Sequence, residues 1–277
     1  WSSNRSGNHD IWLRSFPDGK VQQLTTHPHT EYFPRISPDG SRVVFARSHQ
    51  PWVSQRNVYA WDIVMLDMKS GKETLLARNG NVPNWSKDGR SVYFQRNASQ
   101  VVSVDIKSGK ETLVYQSGVN IEIPPKTELQ TPHLSTDGRL AVTFRQALRA
   151  TAIVTPDGSV KNTGNGCQLL WAADDSYLIK VDGGGRGGNT IYKIDPDTQQ
   201  AAAWFDAEGA YSHEYFPRLS EAGDVLVYGA SAEGHEHDTA DYEIFLWAVG
   251  TPPAETVRMT HHTGNDCWPD LYLRRPL

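Results

Sequence analysis

Ten histidines carry most of the chemistry this chain could do, and their spacing is uneven. His235 and His237 flank Glu236 in the run Gly234-His235-Glu236-His237-Asp238-Thr239-Ala240-Asp241. A His-x-His pair with carboxylates beside it can ligate Zn²⁺ or another divalent cation. His235, His237 and Asp238 are therefore the candidate metal ligands, and His261 and His262 in the following loop could complete the shell. The spacing matches no closed structural zinc motif, so an exposed polar loop is the competing reading. A divalent cation is the only cofactor the residues suggest.

A second set of candidates recurs with a fixed spacing. Glu31, Glu214 and Asp266 each stand three residues before a proline. Such carboxylates can satisfy loop N–H groups or pair with a nearby arginine, or they can face a ligand. Arg35 and Arg218 each follow that proline. They offer two planar guanidinium forks suited to a carboxylate or sulfate on a ligand, or they complete the fold's own ion pairs. Tyr32, Tyr215, His49, His213 and Trp52 complete the ligand-binding set. Trp52 sits in the polar stretch Gln50-Pro51-Trp52-Val53, where it would stack on a sugar ring or wedge into a partner. Phe33, Phe216 and Trp268 suit packing between repeats. The run Gly183-Gly184-Gly185-Arg186-Gly187-Gly188 lacks a strand-to-helix context and reads as a flexible hairpin, not a phosphate cradle. No Gly-x-Ser-x-Gly nucleophile turn is present, and no two carboxylates can be paired as acid and base.

These residues need a scaffold, and the repeats describe one. Glu31-Tyr32-Phe33-Pro34-Arg35 returns as Glu214-Tyr215-Phe216-Pro217-Arg218, with weaker copies around Pro83, Pro132, Trp171 and Pro269. Six copies at a period of about 40–50 residues indicate a propeller or array. Each copy reads as four strands, A to D. A follows the proline, and an Asp-Gly turn leads to B (42–46, 91–95, 140–144). C follows a variable loop (60–66, 101–105, 190–194, 242–247), and D follows a tight polar turn (73–76, 111–115). Period-2 alternation between Gly, Asp and Ser punctuation supports strands throughout, and no helix is convincing. The chain opens with the end of a B strand (1–3), a C strand (10–16) and a D strand (21–25), and closes on an A strand (268–273). The two ends would therefore share one blade, closing a six-bladed ring and removing free edges. The fold class is all-β, with residues 1–277 forming a single β-propeller domain.

Composition bounds the partners. The net charge is −5, which excludes the basic surface that nucleic acid requires. No apolar run approaches the ~20 residues of a membrane helix. Cys167 and Cys267 are a whole repeat apart and are expected to be free thiols. The chain starts on Trp1, and a removed leader is expected.

The pattern Ser-Asn-Arg-Ser-Gly-Asn-x-Asp-Ile-Trp (3–12), then Leu24-Thr25, then Pro-x-Ile-Ser-Pro-Asp-Gly-x-x-Val-x-Phe (34–45) resembles the TolB-like six-bladed propeller repeats. The resemblance spans all six copies and not the TolB amino-terminal domain. Copy four departs most, lacking the Pro and the turn Gly. The resemblance implies the fold and an exported, periplasmic or secreted protein. Fold does not fix function.

In such a ring the A–B and C–D turns share one face, and the D–A and B–C loops share the other. All ten histidines map to the loop face, nine of them on blades one, five and six. The two long B–C loops, 48–59 and 231–241, rise from blades one and five, which predicts a pocket over blades five, six and one. The leading function is a non-catalytic binding module for a polar small molecule, a glycan or a protein, acting as a monomer. The alternative is a lyase or hydrolase acting on a polyanionic glycan, with a His or Tyr as base, Arg35 and Arg218 neutralising the substrate carboxylate, and metal assistance.

Overall fold

The computed structural model describes all residues except Asp18, Thr263 and 275–277. Strands form because short β-branched and aromatic runs must be buried on both faces. In Val43-Val44-Phe45-Ala46, Val43 and Phe45 pack with Ile11, Val64 and Leu66. Val44 and Ala46 pack with Ile63, Val92 and Phe94. One strand thus feeds two inter-blade cores, and each such side chain contributes about 1.5–3 kcal/mol on burial.

Six four-stranded antiparallel sheets result. Blade one is Glu31–Ile36, Arg42–Ser48, Trp61–Asp67 and Glu73–Ala77. Blade two is Gly80–Trp85, Ser91–Arg96, Gln100–Asp105 and Glu111–Gln116. Blade three is Thr127–Leu134, Leu140–Gln146, Ala150–Val154 and Val160–Asn162. Blade four is Cys167–Trp171, Leu178–Gly183, Asn189–Ile194 and Ala201–Phe205. Blade five is His213–Leu219, Val225–Ser231, Glu243–Ala248 and Val257–Arg258. Blade six joins Asp266–Cys267 to Ser2–Ser3, Asp10–Arg14 and Val21–Gln23. Ser2 pairs Cys267 and Ser3 pairs Asp266, so the ring closes by the expected exchange. Among the described residues the sole helical element is a 3-10 turn at Pro253–Glu255, and no helix is long and apolar enough to cross a membrane. Both cysteines are free thiols.

The A strands differ from the sequence expectation. They begin about three residues before the proline and run through it, with a bulge there: pairing jumps between Tyr32 and Arg35 in blade one and between Tyr215 and Arg218 in blade five. An extra residue at this point bends the strand. It takes positive φ in every blade, at Phe33, Val82, Thr131, Gln168, Phe216 and Trp268. The closing strand is accordingly Asp266–Cys267 and not 268–273, because Trp268 is the bulge residue.

The turn face is minimal, as its residues suggest. In each A–B turn an Asp accepts from a Ser hydroxyl: Ser37 to Asp39 at 2.6 Å, Ser86 to Asp88 at 2.6 Å and Ser135 to Asp137 at 2.5 Å. The Ser37 bond holds the Asp39 carboxyl down to about 2, and Arg139 followed by Ser135 does the same for Asp137. Blade four lacks the turn glycine, and Asp175 occupies its left-handed conformation at φ 60. Asp tolerates that region because its short side chain bonds locally. Here the Asp175 carboxylate accepts from Lys87 Nζ at 2.8 Å and the Thr136 amide at 2.7 Å, tying blades two, three and four together.

Candidate functional site

The acidic slot is occupied by the fold itself. The Glu31 carboxylate, fully buried, accepts from Arg47 Nε at 2.7 Å and from the Thr25 hydroxyl. Asp266 accepts from Arg5 Nη2 at 2.6 Å. Glu214 accepts from the Ala207 amide at 2.5 Å. Glu243, which the repeat did not flag, does the same for the His262 amide at 2.5 Å and pairs with Arg258 at 3.1 Å. Glu214 and Glu243 each fasten a D–A loop through its N–H groups, which require an acceptor when buried; Glu31 holds the start of its D–A loop through the Thr25 hydroxyl, and Asp266 holds the B–C loop of blade six through Arg5. Burial pushes Glu31 up to about 7 and Glu214, which has no close arginine partner, up to about 8.

The sector over blades five, six and one is closed. Its two long B–C loops meet: the Ser54 hydroxyl donates to Asp238 at 2.5 Å, the Gln55 amide donates to Asp238 at 3.1 Å, and Arg56 pairs with Glu236 at 2.8 Å. Beneath them the Trp268 indole donates to Gln55 Oε1 at 2.7 Å. Under this cover Trp268 lies 4.3 Å, ring centroid to ring centroid, from both Phe33 and Phe216. His237 joins the same stack, 4.4 Å from Tyr215 and 4.9 Å from Phe216. Its burial among aromatic rings drives its pKa down to about 3.

The metal candidates consequently separate. His237 faces aromatics, Asp238 is bonded to Ser54 and Gln55, and His235 lies against His213 at 5.5 Å. Among the described residues no three His, Cys, Asp or Glu groups converge to hold a metal ion.

The remaining histidines have partners of their own. His9 is buried against the Ser2 hydroxyl at 3.0 Å, and desolvation lowers it to about 4. His49 bonds Asp62 at 3.1 Å, and His262 bonds Asn4 at 3.0 Å. His261 is exposed. Tyr32 is fully buried with Trp61 at 5.6 Å, so it is core. Trp52, 64% exposed, remains available on the outer surface of the joined loops.

Arg35, Arg218 and His133 stand elsewhere than the loop face. Since the A strand starts before the proline, residues beyond it point toward the turn face. Two tiers line the axis: the bulge residues above, then Arg35, Asn84, His133 and Arg218 below. The cavity left between them is only about 20 Å³. Arg218 donates to Asn84 Oδ1 at 2.6 Å, and Arg35 donates to the Pro34 carbonyl at 2.7 Å.

An open pocket does exist on the loop face, but over blades three, four and five. It measures about 390 Å³ and is lined by Arg145, Arg149, Asn165, Asp182, Asn189 and Tyr215, among others. Cys167 is at its wall, and desolvation raises that thiol to about 11. Asp182 pairs with buried Lys180 at 3.0 Å. Tyr215 is also raised by burial. At the border His213 Nδ1 bonds the Gly187 carbonyl at 2.5 Å. A Cβ on Gly187 would fall 1.8 Å from the Ser212 carbonyl oxygen, so this glycine in the hairpin is required by close packing. Of the sequence candidates only Tyr215 lines this pocket, with His213 adjacent. Arg145, Arg149 and Asp182 belong to no repeated motif. The available signal was two arginines close together, Arg145 at the end of the B strand of blade three and Arg149 in the short loop that follows it.

No family profile matches the chain. A stretch of 102 residues is 29% identical to an uncharacterized protein of Agrobacterium fabrum, covering 35% of this chain and 35% of that protein. The chain thus spans about a third of the curated relative it matches. Among solved structures, putative TolB from Agrobacterium tumefaciens superposes with a TM-score of 0.65 at 15% identity, covering 88% of this chain and 86% of that one. TolB from Acinetobacter baumannii gives 0.63 at 14% identity, covering 93% of this chain and 61% of that one. An oligogalacturonate lyase from Vibrio parahaemolyticus gives 0.58 at 14% identity, covering 95% and 74%. At these identities the likeness concerns the backbone. Six repeats, the shared closing blade and these superpositions together give the chain the six-bladed propeller fold of the TolB-like proteins.

Proposed function

We propose that the protein is a non-catalytic binding module that takes a polar, anion-bearing ligand in the pocket over blades three to five. The observation that carries this reading is the chemical state of the pocket wall. Two arginines offer charge-assisted donors, while burial holds the thiol and the phenol on the wall in their protonated forms. The Cys167 thiol stays protonated, and the thiolate is the reactive form. Tyr215 keeps its proton. Asp182 is ion-paired with Lys180 at 3.0 Å. The side chains that a glycan lyase would need together are spread instead: Arg35 and Arg218 lie in the lower axial tier, and the histidines are distributed around the loop face. Trp52 provides a separate exposed aromatic for a larger partner. An exported setting belongs to the same reading and rests on the resemblance to TolB-like repeats.

Calorimetric titration with short uronate oligosaccharides and other polyvalent carboxylates tests it. Binding is expected to disappear in the Arg145→Gln plus Arg149→Gln double variant, with no unsaturated product accumulating in the wild type. Turnover of any titrated glycan would establish the lyase alternative. Binding unchanged in the double variant would place the ligand elsewhere.

A further inference from the structure

The lower tier of the axis presents an uncompensated charge, and it is independent of the loop-face pocket. Arg35 and Arg218 are 6% and 8% exposed. Guanidinium groups stay protonated in proteins, so two positive charges sit inside the ring. Among the described residues Asp270 is the one carboxylate facing both, and it also accepts the Ile36 amide at 2.7 Å. Lys87, a further cation near this tier, is matched by Asp175 at 2.8 Å. Burial, and then the Arg218 charge, lowers the Arg35 pKa well below its ordinary value.

The lining is also rich in donors. Arg35 Nε is buried without a hydrogen-bond partner. His133 Nδ1 accepts from the Trp171 amide at 3.2 Å, and burial keeps this ring neutral, so Nε2 carries the proton. Gln168 uses its carbonyl for the Phe216 amide at 2.6 Å, leaving its NH₂ group to donate. The Asn84 carbonyl is already taken by Arg218. A buried cation without a counter-charge is costly, and unpaired buried donors add to that cost. The space between these groups, about 20 Å³, admits one water-sized particle and excludes sulfate or a carboxylic acid.

We propose that a single monatomic anion of chloride size binds on the propeller axis between Arg35 and Arg218. The ion completes the donor set and secures the ring closure, since Arg35 also reaches the Pro269 carbonyl at 3.4 Å in the closing segment.

Two measurements test this. Crystals of the wild-type protein grown with bromide should show an anomalous peak between Arg35 and Arg218. Thermal unfolding at fixed ionic strength should shift up by about 3 °C as chloride replaces gluconate from 1 to about 100 mM. Arg218→Met leaves Arg35 matched by Asp270 and should abolish that dependence. A bromide-free axis in the wild type, or the same melting temperature in chloride and gluconate, overturns the proposal. A chloride response that survives in Arg218→Met does so as well. If that variant does not fold, the anomalous map decides.

Discussion

The loop face has two sectors built on the same blades, and they behave in opposite ways. Blades five, six and one carry nine of the ten histidines and both long loops, yet the loops bond to each other and cover Trp268. Blades three and four carry short loops, and there the pocket of about 390 Å³ remains. Long loops supply side chains for their own mutual packing as readily as for a ligand. The three-residue connection after Gln146 in blade three is too short to cover the gap beside it, while the hairpin of blade four packs through Gly187 against Ser212 and His213 at the pocket's edge.

The comparison can be broken most severely by emptying the closed sector. Phe216→Ala removes a 3% exposed ring between Trp268, Tyr242 and His237, and should cost about 3–5 kcal/mol in denaturant unfolding. A loss below 1 kcal/mol would mean that the aromatic stack does not hold the axis.

Next comes a pH effect at the border between sectors. Glu214 is raised from 4.5 to about 8, so the folded state binds a proton that the unfolded state has released between those values. Its stabilising contribution is full below about pH 4.5 and declines until about pH 8. Glu214→Gln should remove that decline, on the order of 1–3 kcal/mol between pH 5 and 8, in paired urea titrations. Glu31 titrates in the same direction, with Arg47 opposing the burial effect, so Glu31→Gln should flatten the profile less.

Asp238→Ala cuts the bonds from Ser54 and Gln55 and should cost about 1–2 kcal/mol. Amide exchange should quicken in 50–58 and 235–241 while blades three and four stay protected. Uniform quickening would show that the two sectors are one cooperative unit. The smallest stability effect is expected at the open sector: Arg149→Gln, on an exposed side chain, should change stability by less than about 0.5 kcal/mol while weakening ligand binding.

Much of this ring was legible in the residues. The Pro and Asp-Gly punctuation marked six repeats, and the orphan strands at each end identified the shared blade. The bulge was not legible, because Phe33, Val82, Thr131, Gln168, Phe216 and Trp268 share no chemistry that announces a left-handed conformation. Missing it placed Arg35, Arg218 and His133 at the wrong end of the axis. The pocket was missed for a related reason: Arg145, Arg149, Asp182 and Asn189 come from two blades and form no motif in one dimension. The recurrence of the acidic slot left both of its readings open, and the bonds from Arg47, Arg5 and the Ala207 amide are what favour a role in the fold.

The tier of bulge residues also has a consequence for traffic. Propellers are commonly pictured as pierced discs, but Trp268, Phe33 and Phe216 close this one as a septum. These rings, each at most 6% exposed and 4.3 Å apart from centroid to centroid, work as a stopper in the bore, so the loop side of the axis offers an aromatic floor where a pierced disc would offer a hole.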